Sequence, residues 1–257
     1  MNHTTAADLL TPSMSRPASA ARPSPFLSWR LCAWAGPVFL LGYIVSWGLM
    51  GYNVPPLDPD ITQADLHRHY LDNSGRIKAA MVLSLFFAPF YFVFSAVLSR
   101  VLQKVEGQAG PLSLIEQMGG LLTTVVLLVG GVSWLTAAHR VDERTPEIIR
   151  QLHDFGWMFF DTTFMCTSLQ MLGMAGVIFT DRRLQPLLPR WLGWFSVFAG
   201  LLFVPLMLMP FFLHGPFAWN GLINYWIGFS GFFWWVLFLC IYVFKAIARI
   251  EAESALP

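Results

Sequence analysis

The chain has 257 residues, of which 56% are hydrophobic and only 12% are charged. An average soluble domain carries about 25% charged residues, so this chain has too little charge to coat a soluble globule of its size. The formal net charge is +1 and there is no basic stripe, which argues against a nucleic-acid partner.

The first 25 residues are rich in Ser, Ala, Pro and Thr and contain little that a core could bury. This composition predicts a disordered tail at 1–25. No short apolar core precedes a small-residue cleavage site, so we do not expect a cleaved signal peptide. The first long apolar stretch would then act as an uncleaved signal anchor.

Six later stretches are long and apolar enough to cross a membrane, which takes about 20 residues for a ~30 Å hydrocarbon core. They lie at 31–51, 79–99, 117–138, 155–180, 191–213 and 221–244. The runs are continuous and do not alternate, which excludes a β-barrel. The sequence therefore predicts an all-α polytopic membrane helical bundle over 26–248, followed by a second tail at 249–257.

The loops indicate the orientation of this bundle. Ten of the 16 Lys and Arg residues fall on the side that carries the termini, so we expect both termini to be cytoplasmic. In the first outer loop, Thr62-Gln-Ala-Asp65 resembles a capping box and predicts a short surface helix ending near Gly75. In the second, Thr145-Pro146 predicts the start of a helix that leads into the fourth span.

Asp161 is the one charged residue inside the fourth span, where an ionised carboxylate costs about 2.5–3.5 kcal/mol. Asp154 and Ser168 lie seven residues to either side and hence on nearly the same face. The functional interpretation is a proton relay, a catalytic acid or an anchor for a polar ligand group. The alternative is a neutral Asp161 bonded to a neighbouring helix. For Asp154 a simple pairing with Arg150 is favoured.

The sixth span opens with two asparagines that share a face and enter from the same outer side. Asn220 is expected to cap the helix, whereas the deeper Asn224 needs a partner from another helix or from a ligand. Together with Asp154 and Asp161 they would form a polar pocket. Its predicted aromatic walls are Trp134, Trp157 and Tyr225.

The remaining polar residues within or beside the spans have simpler interpretations. Glu116 is expected to reach the cytoplasmic interface or to pair with a basic loop residue. Histidines at the outer ends of spans are expected to meet headgroups and water, namely His139, His153 and His214. Because they come from different connections and form no i,i+4 pair, no metal site is predicted.

Three cysteines, Cys32, Cys166 and Cys240, lie inside apolar stretches without C-x-x-C spacing, so we expect neither disulfides nor zinc ligands. No phosphate-binding loop occurs, which excludes direct use of ATP. No cofactor is predicted.

Two segments carry a family resemblance: Pro189-Arg-Trp-Leu-Gly-Trp194, and the run from His214 to Gly221, which reads His-Gly-Pro-Phe-Ala-Trp-Asn-Gly. With Arg76 and the Pro-Glu-Ile turn at 146–148, the chain resembles a family of uncharacterised bacterial six-helix inner-membrane proteins. The resemblance implies the six-helix topology and a bacterial inner-membrane location, and it supplies no catalytic residues.

The sequence therefore favours a multi-pass protein that binds or transports a small lipophilic molecule through an outward-facing intramembrane polar pocket. One alternative is an intramembrane enzyme acting on an isoprenoid or lipid, with Asp161 as general acid and Asp154 as a further catalytic candidate. Another is an accessory subunit of a membrane complex. The expected partners are the lipid bilayer and a lipophilic molecule, and a homo-oligomer or a membrane-protein partner stays open.

Overall fold

A computed structural model describes residues 25–255, so all but the last residue of the predicted N-terminal tail lies outside the described part. Within 25–255 all regular structure is helical, and no strand occurs. Six helical segments are long and apolar enough to cross a membrane. The protein is an all-α, multi-pass helical bundle, as its composition predicts.

The first two spans are longer than their apolar cores. Helix α1, Pro25–Tyr43, continues as a π-helical segment over Ile44–Met50. The second span consists of α2, Gln63–Phe87, and α3, Pro89–Glu106, which meet at Ala88. The proline at the start of α3 has no N–H to continue the bond ladder of α2, which explains the joint.

The capping prediction for α2 is confirmed at its start and wrong at its end. The Thr62 hydroxyl accepts a hydrogen bond from the Asp65 N–H at 3.1 Å. The helix then runs through Gly75 without a break, because its buried face continues from Leu66 and Tyr70 to Ile77. Burial of this face outweighs the modest cost of a glycine inside a helix.

The third and fourth spans form the middle of the bundle. The third is α4, Pro111–Ala138, which packs against α2, α3 and two later helices. Those helices are α5, Pro146–Thr162, and α6, Met165–Thr180, which together make the fourth span. Thr145 precedes α5 and Pro146 opens it, as predicted. The outer part of α4 therefore lies against α5 and the inner part against α6.

The last two spans contain irregular helical turns. Helix α7, Arg190–Leu202, leads into a 3-10 segment over Val204–Phe211, which holds two prolines. The sixth span starts as a π-helical segment, Leu222–Phe229, and continues as α8, Ser230–Ser254. Most of the predicted C-terminal tail is therefore helical, and its end is joined to α1 by an ion pair between Arg30 and Glu251 at 2.6 Å.

The surface of the bundle is apolar along the spans, as a bilayer-facing surface requires. Leu41 is 68% exposed, Trp194 67% and Phe211 79%. The loops at 51–62, 139–145 and 212–221 share one end of the bundle, which we name the outer end after the predicted orientation. The opposite end, with the loops at 107–110 and 181–189, is the inner end.

Candidate functional site

Two of the predicted site residues meet in the interior of the bundle. Asp161 lies near the end of α5 with 1% of its surface exposed, and Asn224 lies in the π-helical start of the sixth span with none exposed. The Asn224 side-chain amide donates to Oδ2 of Asp161 at 2.8 Å. The fourth and sixth spans are thus joined by a buried polar bond.

This pair leaves hydrogen-bonding capacity unused. Oδ1 of Asp161 and Oδ1 of Asn224 are both buried, and neither has a hydrogen-bond partner among the described residues. Buried polar atoms in folded proteins nearly always have a partner, whether protein, water or ligand. Both free atoms are oxygens, so the site can accept hydrogen bonds from a donor placed between them.

An aromatic cluster surrounds the polar pair. The rings of Trp134 and Trp157 lie 5.2 Å apart, and Trp47 stacks on Phe160 at 5.3 Å. The indole nitrogens of Trp47, Trp134 and Trp157 are buried without a hydrogen-bond partner among the described residues. The predicted walls Trp134 and Trp157 therefore pack together and against Phe160, the residue before Asp161 in the chain.

Trp47 is a member of this cluster that sequence reasoning missed. It is 1% exposed and contacts Trp134, Trp157, Phe160 and Phe229. In the sequence it is one apolar residue within an apolar span, so no local signal separates it from tryptophans of the bilayer surface. Only the packing of the π-helical segment Ile44–Met50 against its neighbours places it within the cluster.

Gly156 explains how α5 comes so close to α4. A Cβ atom at this position would lie 2.6 Å from Nε1 of Trp134. The indole of Trp134 thus lies directly against the backbone of α5, one turn before Asp161. A larger residue at 156 would displace it, so the glycine sets the shape of the aromatic cluster.

Tyr225 ties the sixth span to the first outer loop. Its hydroxyl donates to the backbone oxygen of Asn53, and the Asn53 side chain donates to the backbone oxygen of Trp47 at 3.0 Å. The Tyr225 ring lies 6.2 Å from that of Trp157, so this predicted wall residue is also in the cluster. Asn53 is a buried polar residue that sequence reasoning missed.

Asn220 lies apart from the polar pair. It is half-buried in the turn before the π-helical segment, and no described hydrogen bond joins it to Asp161 or Asn224. The expectation that it caps the sixth helix is wrong, because Gly221 occupies the N-cap position and no side chain caps the first turn.

A pocket of about 160 Å³ adjoins the aromatic cluster between the first and sixth spans. Its lining is mostly aromatic and comprises Ile44, Trp47, Val54, Tyr225, Trp226, Phe229, Ser230 and Phe233. Trp226 is 45% exposed, so the pocket reaches the side of the bundle. Trp47, Tyr225 and Phe229 belong to both the pocket lining and the aromatic cluster, and Tyr225 directly follows Asn224 in the chain.

The outer end above the pair is covered. Nε1 of Trp219 donates to the backbone oxygen of Leu57 at 2.8 Å, and the Trp219 ring stacks on Trp157 at 5.9 Å. Trp219 and Leu57 therefore cover the outer side of Trp157. Leu57 and Trp219 are far apart in the chain, which hides the contact from sequence reasoning.

His153 belongs to the same covered region, so the expectation that it meets headgroups and water is wrong. It is 3% exposed, and its Nδ1 lies 2.9 Å from the Tyr70 hydroxyl. Tyr70 and Trp219 cover the imidazole from two sides. His139 and His214, by contrast, are exposed. His153, Trp157 and Asp161 follow one another every four residues, so they share one face of α5.

The expected pairing of Asp154 with Arg150 is also wrong. Arg150 turns to the first outer loop instead, where it donates to the backbone oxygens of Pro59 and Ile61. Asp154 is half-buried, and its Oδ1 has no hydrogen-bond partner among the described residues. The guanidinium of Arg150 therefore bonds the loop carbonyls in preference to Asp154. One carboxylate oxygen of Asp154 is left without a described partner near the outer end.

Ser168 does not extend the polar face of Asp161. Helix α5 ends at Thr162 and α6 begins at Met165, so the intervening turn interrupts the helical register. The Ser168 hydroxyl lies 3.9 Å from the sulfur of Met165. Gln170, further along α6, joins a different polar centre.

That second centre is built around Glu116, for which the sequence predicted an interfacial position or a basic partner. Glu116 is instead fully buried. Its Oε1 accepts hydrogen bonds from Ser95 at 2.8 Å and from Gln170 at 3.0 Å, while Oε2 has no partner among the described residues. The expectation fails because α3 and α6 both supply polar groups that face α4 at this depth.

No family model, curated protein or solved structure matches the chain. Within residues 25–255, no three His, Cys, Asp or Glu side chains lie close enough together to hold a metal ion.

Proposed function

We propose that the protein binds a small lipophilic molecule within the membrane and transports it, with the Asp161–Asn224 pair recognising a polar group on that molecule. The observation that carries the proposal is the pair of unpartnered, buried oxygens beside a pocket with aromatic walls. Sites of this form, mostly apolar with a few convergent polar groups, are typical of small-molecule binding.

The size of the pocket limits what enters it. Its volume of about 160 Å³ resembles that of an engineered protein cavity of about 150 Å³ that holds benzene. It is smaller than the ~300–1,000 Å³ of sites for drug-sized ligands. One ring or one short branched hydrocarbon unit fits, so the rest of a larger ligand would stay in the bilayer beside Trp226.

The polar group of the ligand follows from the atoms it would meet. Oδ1 of Asp161 and Oδ1 of Asn224 accept hydrogen bonds, so a hydroxyl or amine on the ligand is favoured. Trp47 and Phe229 line the pocket and contact each other in the aromatic cluster, so binding of the ligand is expected to move these two rings.

The alternative is catalysis on an isoprenoid or lipid, with Asp161 as general acid. The unpartnered Oδ1 of Asp161 supports it, because a proton held there would face any polar group that enters the site. Steep loss of turnover in Asp161→Asn, with ligand affinity intact, would distinguish catalysis from transport. We place either activity in a bacterial inner membrane, on the charge bias of the loops and the family resemblance.

The test is native mass spectrometry of the purified protein, followed by flux measurements with the compound that it retains. We expect a lipophilic adduct on the wild type that is lost in Ser230→Phe, which fills the pocket, and kept in Trp194→Ala, which lies on the bilayer-facing surface. In reconstituted vesicles, Asp161→Asn should abolish flux of that compound.

Two outcomes would contradict the proposal. The first is an adduct that Ser230→Phe and wild type retain equally, since the pocket would then play no part. The second is an adduct-free protein that purifies as a stable complex with another membrane protein, which would support the accessory-subunit alternative.

A further inference from the structure

Glu116 is a fully buried carboxyl residue that does not line the ligand pocket. It lies in the inner half of α4, and its carboxyl group faces Ser95 of α3 and Gln170 of α6. The Tyr91 hydroxyl donates to Oε1 of Gln170 at 2.9 Å, which orients the amide so that its N–H points at Glu116. Its Oε2 remains without a partner among the described residues.

The surroundings of Glu116 contain no cation among the described residues. The hydroxyl of Tyr91 on α3 interacts electrostatically with Glu116, and the thiol of Cys240 on α8 interacts with Tyr91. From α6 it meets the neutral Gln170, and the described residues of α2 and α5 give it neither a hydrogen bond nor an ion pair. An ionised carboxylate would be unpaired here, so the site suits a carboxyl group that carries a proton.

Glu116 is enclosed because α3 and α6 pack closely against α4. A Cβ atom on Gly120 would lie 2.2 Å from the Ser95 hydroxyl oxygen, and one on Gly119 would lie 2.5 Å from Cβ of Gln170. These two glycines, one turn beyond Glu116, let α3 and α6 approach α4 on both sides. The polar side chains therefore converge on the carboxyl group and leave no room for a large ligand.

A line of hydroxyl groups leads from Glu116 to the inner end. Ser95 and Ser99 are one turn apart on α3, and the Ser99 hydroxyl donates to the backbone oxygen of Ser113 at 2.7 Å. The Ser113 hydroxyl in turn donates to Oε2 of Glu106 at 2.6 Å, and Glu106 is half-buried at the inner end. Three serine hydroxyl groups therefore lie between Glu116 and Glu106 in the inner half of the bundle.

On the side of Glu116 that faces the outer end, phenylalanine rings pack against one another. Phe164 contacts four further phenylalanines, and together they form a layer of Phe160, Phe164, Phe203, Phe229 and Phe232. In the fourth span, Phe164 lies between Asp161 on α5 and Gln170 on α6, and Gln170 is the partner of Glu116. Glu116 therefore lies nearer the inner end than Asp161, with Phe164 between their two levels.

We propose that Glu116, with Ser95, Gln170 and Tyr91, forms a second site that takes up and releases a proton from the inner side of the membrane. In this step the O–H bond at Oε2 of Glu116 forms or breaks, and the proton passes along the serine hydroxyls to Glu106 and water. No other bond changes and no oxidant or reductant takes part. The site is separate from the ligand pocket and does not depend on the ligand.

The test is pH-difference infrared spectroscopy of the full chain in phosphatidylcholine vesicles, which detects the carbonyl stretch of protonated carboxyl groups. We expect a band that titrates, moves when glutamate is isotope-labelled, disappears in Glu116→Gln and persists in Asp161→Asn. Glutamine keeps an oxygen for the bonds from Ser95 and Gln170. If this variant does not fold, Ser95→Ala, which removes one hydrogen bond to Glu116, should shift the frequency of the same band. A titrating band that Glu116→Gln leaves unchanged, or that Ser95→Ala leaves at the same frequency, would overturn the proposal.

Two further measurements test whether the proton moves along the serine hydroxyls and whether Glu116 binds a proton or sodium. Ser99→Ala should slow the response of the band to a pH jump several-fold, whereas Thr136→Ala, whose hydroxyl lies outside the route, should not. An equal response of the two variants would contradict the hydroxyl route. Replacing sodium by choline should leave the midpoint of the titration unchanged; a shift would show that Glu116 binds sodium ion. Because no ligand is used, failure here leaves the ligand proposal intact.

Discussion

The side-chain amide of Asn224 donates to Asp161 across 2.8 Å, although 63 positions separate the two residues in the chain. The bond joins the fourth and sixth spans within an aromatic cluster, and each residue keeps one buried oxygen without a described partner. The four predictions that follow test this bond, the packing around it and the two contacts that close the outer end.

The Asp161–Asn224 bond should give a measurable coupling energy. Interhelical hydrogen bonds in membrane proteins average about 0.6 kcal/mol, with values up to ~1.7 kcal/mol. We expect a double-mutant cycle of Asp161→Ala and Asn224→Ala, followed by unfolding in mixed detergent micelles, to give about 0.5–1.7 kcal/mol. A cycle of Asp161→Ala with Trp194→Ala is the control, and strict additivity in both cycles would show that the bond adds nothing to stability.

Gly156 should not tolerate a methyl group. Because a Cβ atom there would lie 2.6 Å from Nε1 of Trp134, Gly156→Ala should destabilise the fold by about 1–3 kcal/mol, the usual cost of overpacking. Gly75→Ala is the matched control, since nothing lies within 4 Å of its Cβ position. That change should stabilise α2 by about 0.5–1 kcal/mol. Thermal unfolding in detergent measures both, and equal shifts of the two would contradict the described packing.

The guanidinium group of Arg76 should stabilise the end of the first span in a way that lysine cannot. Its guanidinium donates to the backbone oxygens of Leu49 and Met50 at the end of the first span, and lies 4.2 Å from the centre of the Tyr52 ring. Lysine cannot reproduce the forked bonds, so Arg76→Lys should lower the free energy of unfolding by about 1–2 kcal/mol.

Arg68 supplies the control for Arg76 on the same helix. It forms an exposed i,i+3 ion pair with Asp65 at 3.2 Å, and Arg68→Lys should change stability by less than about 0.5 kcal/mol. Similar losses in the two variants would mean that charge alone, and not the fork of the guanidinium, holds the end of the first span.

Trp219 should keep water away from the aromatic cluster. Trp219→Phe removes its bond to Leu57 but keeps an aromatic ring over Trp157, so the first outer loop should open more often. We expect faster hydrogen exchange at residues 52–58 and stronger acrylamide quenching of the remaining tryptophans. Trp191→Phe, at the other end of the bundle, should change neither. Unchanged exchange in Trp219→Phe would show that the loop is held by other contacts, such as that between Tyr225 and Asn53.

Much of the architecture could be predicted because bilayer thickness and local chemistry act on short stretches of chain. The six apolar runs correspond to the six membrane-capable helices. Helices α2 and α5 begin directly after Thr62 and Thr145, as the capping pattern at 62–65 and the Thr145-Pro146 pair predict. The local rules failed where the packing of a whole face decided the outcome, as in the continuation of α2 through Gly75.

The sequence by itself determined that the protein is a helical membrane bundle and that Asp161 and Asn224 need buried partners. Hydrophobicity and the cost of a polar group in hydrocarbon are properties of single residues and their neighbours along the chain. Only the tertiary structure decided that these two residues meet, that Trp47 and His153 are buried among aromatic rings, and that Glu116 is buried nearer the inner end. Those relationships depend on which helix faces which, and contacts between distant segments leave no periodic signal in the chain.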